Sequence, residues 1–84
     1  MKSMYNLNNV LATAESVGEW DGQEELAAEN VNKIYQAIYD AAPEEIDDTT
    51  LHEIMHSVWD DWGSEEELLT ITDEQIQEYV QRVI

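Results

Sequence analysis

The chain has no cysteine, a single proline, three glycines and only three Lys or Arg residues in 84 positions. Without cysteine there is no disulfide, no thiolate metal site and no cysteine nucleophile, and nothing marks an oxidising compartment. No apolar run approaches the roughly 20 residues that a membrane-spanning helix requires. The opening Met1-Lys2-Ser3-Met4-Tyr5-Asn6 lacks the apolar core of a secretory signal. The shortage of positive charge is the sharpest deficit. Twenty Asp and Glu face three cations, giving a formal net charge of −17. Phosphates are repelled by such a surface, which excludes direct binding to DNA, RNA or an anionic membrane.

Few apolar residues with high net charge would mean disorder. Here Leu, Ile and Val total nineteen, about 23% of the chain and just above the level that signals a disordered segment. Three Trp and four Tyr add large apolar surfaces. Pattern decides for folding, because apolar residues recur at helical spacing in separate windows with start and stop signals. Leu7, Val10, Leu11, Ala14 and Val17 share one helical face that stops at Gly18. A second stripe, Ala27, Val31, Ile34, Tyr35, Ile38 and Ala41, follows a capping arrangement of Asp21 with Glu24 and ends before Pro43. A third, Leu51, Ile54, Met55, Val58 and Trp62, starts at Asp48-Thr49-Thr50 and stops at Gly63. Ser64 with Glu67 repeats a capping signature before Leu68, Leu69 and Ile71. Thr72 with Gln75 opens a last helix carrying Ile76, Tyr79, Val80 and Val83. No window alternates with period two. The expectation is an all-α single domain over residues 1–84, a small compact bundle of about four amphipathic helices.

The acidic residues spread along the chain, with dense groups at Glu44-Glu45, Asp47-Asp48, Asp60-Asp61 and Glu65-Glu66-Glu67. Two cations have local partners, since Glu29 precedes Lys33 and Glu78 precedes Arg82 by four residues, the favourable order on a helix. Acids in first helical turns complement helix dipoles and keep faces solvated, but they do not explain the total. A small domain is kept soluble by a net charge of about 2–8, and more adds self-repulsion. The excess therefore reads as functional. Carboxylates four residues apart on a helix lie about 6 Å apart along its axis, a spacing resembling that of phosphates on a nucleic acid.

Asp48-Thr49-Thr50-Leu51-His52-Glu53-Ile54-Met55-His56 followed by Asp60, together with Met4-Tyr5-Asn6-Leu7-Asn8-Asn9-Val10-Leu11, resembles the Ocr-type phage antirestriction proteins. Glu15-Ser16-Val17 looks like the Glu-Ser-Ile element of uracil-DNA glycosylase inhibitors. Size and acidity are similar to those of many phage anti-CRISPR proteins. The resemblance implies a helical DNA mimic, possible as a homodimer, that fills the DNA groove of a defence enzyme in the cytoplasm of a bacterial host. The long acidic tail of the Ocr type has no counterpart here.

Competing motifs point elsewhere. His52-Glu53-Ile54-Met55-His56 fits the H-E-x-x-H pattern of zinc peptidases, with two imidazoles one turn apart and a Glu to activate water. The metzincin extension fails, because positions 59 and 62 are both Trp. Asp48-Thr49-Thr50-Leu51 stands where an acyl carrier has Asp-Ser-Leu, but without the serine. No glycine-rich phosphate loop or EF-hand spacing is present, so the chain is read as a non-enzyme with no cofactor. The expected partner is the basic DNA- or RNA-binding groove of a host restriction or CRISPR nuclease. The partner-binding residues are Asp47, Asp48, Glu53, Asp60, Asp61, Glu65, Glu66 and Glu67. A second patch holds Glu19, Asp21, Glu24, Glu25 and Glu29, on the same or an opposite face. Trp20 and Trp59, off the apolar stripes, are expected at a partner or dimer interface. The alternative is an acidic helical adaptor that binds a basic protein without displacing DNA.

Overall fold

A computed structural model describes residues 2–84. Its three α-helices are α1 (Glu24–Ala41), α2 (Asp48–Trp62) and α3 (Asp73–Val83). Short 3-10 turns occupy Lys2–Met4, Leu7–Asn9 and Glu66–Thr70, and there is no strand among the described residues. The all-α class expected from periodicity is the one observed, with three helices in place of about four. No helix of the described residues is long and apolar enough to cross a membrane.

The window that fails to become a helix is the first. Between Leu7 and Val17 the chain makes one 3-10 turn and then runs without regular structure. Its polar side chains compete with the helical ladder. The Asn6 carboxamide oxygen accepts the Asn8 amide, and Ser16 and Thr13 bond each other's backbone through their hydroxyls. Asn32, projecting from α1, then captures the backbone of Ala12, accepting its N–H at 2.7 Å and donating to its carbonyl at 2.9 Å. Both main-chain groups of Ala12 are thus satisfied outside any helix. The apolar spacing still has an effect, because Val17 is buried and Leu7 and Val10 pack against the core.

The 18-residue α1 is the central element. It packs against α3, α2 and the 3-10 turns at Glu66–Thr70 and Leu7–Asn9, so its buried face is wider than a single stripe. Ala27, Ala28, Val31, Ile34, Tyr35 and Ile38 are buried along it. Leu51, Met55 and Val58 close the core from α2, Leu68 from the 3-10 turn, and Ile76, Tyr79 and Val80 from α3. The helix leaves its axis at Ala42, whose extended backbone (φ −65°, ψ 138°) turns that side chain inward; Ala41, expected on the stripe, is exposed.

The capping signatures divide. Thr72 and Gln75 form a full reciprocal capping box at the start of α3. Asp21 does not cap α1: the helix begins at Glu24 after Gln23, and Asp21 sits at φ 52° beside Gly22 at φ 89°. That pair makes a left-handed turn, where Asp is among the few tolerated non-glycine residues. α2 starts at Asp48, as expected, although Asp47 before it makes no side-chain cap bond. The cap expected at Ser64 is not used, since Glu65 precedes the 3-10 turn. Gly63 ends α2 in right-handed geometry (φ −62°). Glycine is needed there for space, because a Cβ would come within 2.7 Å of the Trp59 ring.

Candidate functional site

The acidic residues are placed by α2 and by the chain at its two ends. Leu51, Met55, Val58 and the half-buried Trp62 take the core side of α2, which turns Glu53 and Asp60 to the opposite side. Seven residues separate them, about two turns and about 10.5 Å along the axis. Asp47 and Asp48 stand at the N-terminal end, and Glu65, Glu66 and Glu67 continue past the C-terminal end. All are exposed. The result is an acidic ridge at Glu53 and Asp60, with further carboxylates at both ends of a helix about 22 Å long.

Asp61 has a different role from its neighbour. Its carboxylate accepts the Tyr79 hydroxyl proton at 2.7 Å, joining α2 to α3. Burial and this bond to a carboxylate raise the Tyr79 pKa well above the ordinary tyrosine range. Trp62 meets Tyr79 edge-to-face at 5.7 Å and 83°. Its indole nitrogen is buried with no hydrogen-bond partner among the described residues. Asp61 therefore serves the fold as well as the surface, a role invisible in its sequence neighbourhood. At the other end of α2, burial raises the Tyr5 hydroxyl pKa, with a further contribution from the Asp48 charge.

The second patch belongs to the loop and first turns of α1. Backbone amides of Glu24, Trp20 and Gly22 hold the Glu24 carboxyl below its usual range. Glu25 and Glu29 are exposed on α1. The structure resolves how the two patches sit. Glu19, Asp21, Ser64 and Glu66 all line one cleft of about 730 Å³. Glu19 and Asp21 of the second patch thus share the cleft with Glu66 of the first, and the cleft joins segments at least forty positions apart in the chain. Its remaining walls include Val17, Trp20, Gln23, Gly63 and Leu69; of these, Gln23 carries no signal in the sequence that would mark it.

Trp20 and Trp59, expected at an interface, are both half-buried and packed against the core. Trp20 is held by its indole N–H, which donates to the Val17 carbonyl at 2.8 Å. His52 and His56 are exposed, and His52 Nδ1 lies 3.3 Å from the Tyr5 hydroxyl. No set of three His, Asp or Glu side chains with metal-binding geometry occurs among the described residues.

The few cations are engaged away from the cleft. Lys33 pairs with Glu29 at 4.0 Å, as the four-residue spacing implied. Arg82 lies over the Tyr79 ring at 5.3 Å in place of the expected pairing with Glu78, and Lys2 lies over Tyr39 at 5.2 Å. Stacking on an aromatic face gives Arg82 a contact that an exposed carboxylate, itself well hydrated, does not better. The chain matches no protein-family model, no curated protein and no solved structure.

Proposed function

We propose that this domain is a phage- or mobile-element-encoded DNA mimic that blocks the nucleic-acid-binding groove of a host defence enzyme, such as a restriction or CRISPR nuclease. The observation that carries this reading is charge held in a fixed shape. A net charge of −17 lies on a body 40 × 25 × 16 Å, about one charge per 2.4 Å of its long axis against about one per 1.7 Å for duplex DNA. Glu53 and Asp60 are displayed on a helix whose other side is locked into the core, so the backbone that carries these charges is already ordered before binding.

The mechanism is competitive. Carboxylates on the α2 ridge and beyond it pair with the Lys and Arg of the target that otherwise hold phosphates. A folded domain has no scissile phosphodiester and no base edges, so the groove is filled without turnover. Steering by the net field makes association fast and salt-sensitive.

Reversal of Glu53, Asp60, Glu65, Glu66 and Glu67 to Lys tests the reading, with Asp61 kept for its bond to Tyr79. Binding to the enzyme, measured by surface interferometry, is expected to weaken more than about tenfold, chiefly through slower association. Binding that survives both the reversal and a rise in salt would defeat the mimic reading.

A further inference from the structure

We propose that the cleft between the Trp20 loop and the 64–66 turn receives one arginine side chain of the partner protein. The inference deepens the function proposed above and rests on it for the identity of the partner as a basic protein. The cleft differs from the rest of the acidic surface in having walls. Its volume, about 730 Å³, is within the range of sites that bind a ligand group, and Val17, Trp20 and Leu69 add apolar side chains to a lining that also holds Glu19, Asp21 and Glu66.

Three features select the occupant. First, the lining contains three carboxylates and no Lys, Arg or His, and the chain's own cations are occupied with Glu29, Tyr39 and Tyr79. The charge in the cleft is complemented only from outside. Second, the Trp20 ring is fixed, because its indole N–H is anchored to Val17 and its apolar surface packs on the core. A fixed indole face favours a planar, weakly hydrated guanidinium, which stacks on it, over a compact and strongly hydrated ammonium. Third, the cleft carboxylates form no metal-binding set, and none is found elsewhere among the described residues. A divalent cation needs several oxygens at about 2.0–2.6 Å, whereas a guanidinium presents five N–H donors spread over a fork. An arginine can therefore engage both Glu66 and the carboxylates of the 19–21 loop, which line the same cleft. Gly63, held to glycine by the nearness of Trp59, adds only backbone to the rim and leaves the mouth open.

The test uses the intact chain and the peptide acetyl-Gly-Arg-Gly-amide as probe, followed by amide and indole NMR shifts at constant ionic strength. The lysine and citrulline peptides are the comparisons. Saturable shifts centred on residues 17–23 and 63–70 are expected, with the arginine peptide about threefold tighter than the lysine peptide and the neutral citrulline peptide without effect. Glu66→Gln and Asp21→Asn are each expected to weaken the arginine peptide about two- to fivefold. Asn keeps the left-handed backbone of Asp21 available, and the spectrum of each variant reports its fold. Shifts spread equally over the α2 ridge, equal affinity for the arginine and lysine peptides, or indifference to both substitutions would overturn the proposal. Neither nucleic acid nor enzyme is present, so such a result removes the arginine cleft and leaves the mimic reading standing. Failure to displace DNA with peptide binding intact would do the reverse.

Discussion

At the residue scale, Tyr79 links the fold to the acidic surface. It is 2% exposed, donates to Asp61, stacks edge-on with Trp62 and lies under Arg82. Its pKa is raised, so the folded state holds the phenol proton more tightly than the unfolded chain. The sign follows from linkage. Below the ordinary tyrosine value of about 10 both states are protonated and the contribution is fully present; above it the unfolded chain ionises first and stability is lost. Tyr79→Phe removes the Asp61 bond, at a cost of about 1 kcal/mol at pH 8. Between pH 8 and pH 11 the advantage of the parent over this variant is expected to shrink by about 1 kcal/mol, measured by urea unfolding. A constant difference would mean that the buried phenol is not the titrating group. Tyr79 was legible in the sequence as a core position, but not as the partner of Asp61. Eighteen positions separate the two, and only the crossing of α2 with α3 brings them together. Asn30 was legible in neither sense. It is 5% exposed and its carboxamide donates to the Leu68 carbonyl at 2.8 Å, fastening the 3-10 turn to α1.

At the scale of elements, the signals that survived are those satisfied within a few residues. Thr72 and Gln75 close on each other's backbone and need nothing distant. Thr72→Ala is expected to cost about 1 kcal/mol and to lower the melting temperature by about 4–8 °C, read by far-UV circular dichroism. A change under 1 °C would show that α3 is held by packing alone. The long stripes of α1 and α2 were legible for the same local reason, since 3.6-residue periodicity fixes which side faces the core. The 7–17 segment carried an equally good stripe and did not become a helix. Its Asn, Ser and Thr content gave the backbone other partners, and Asn32 decided the outcome from another element. Long-range capture of this kind leaves no trace in apolar spacing. The Asp21 cap failed similarly, because Asp21-Gly22 serves a left-handed turn three residues before the helix starts.

At the scale of the whole molecule, charge was legible and its arrangement was not. Composition gave −17 and the order of the patches along the chain. It did not show that Glu66 shares a cleft with Glu19 and Asp21, that Asp61 is tied into the fold, or that Arg82 lies over Tyr79. These depend on how α1 seats the other elements. With a Cα radius of gyration of 12.5 Å, against about 12 Å for a compact chain of this length, the body is slightly elongated, as suits an occupant of a groove. The central claim is that this surface competes with DNA for the same basic groove. Its most direct measurement is fluorescence anisotropy of a labelled duplex held by the nuclease recovered with this protein from a bacterial host. Titration with the domain is expected to release the duplex stoichiometrically, and less effectively as salt is raised. A domain that binds the nuclease while the duplex stays bound would contradict the claim and identify an acidic adaptor instead.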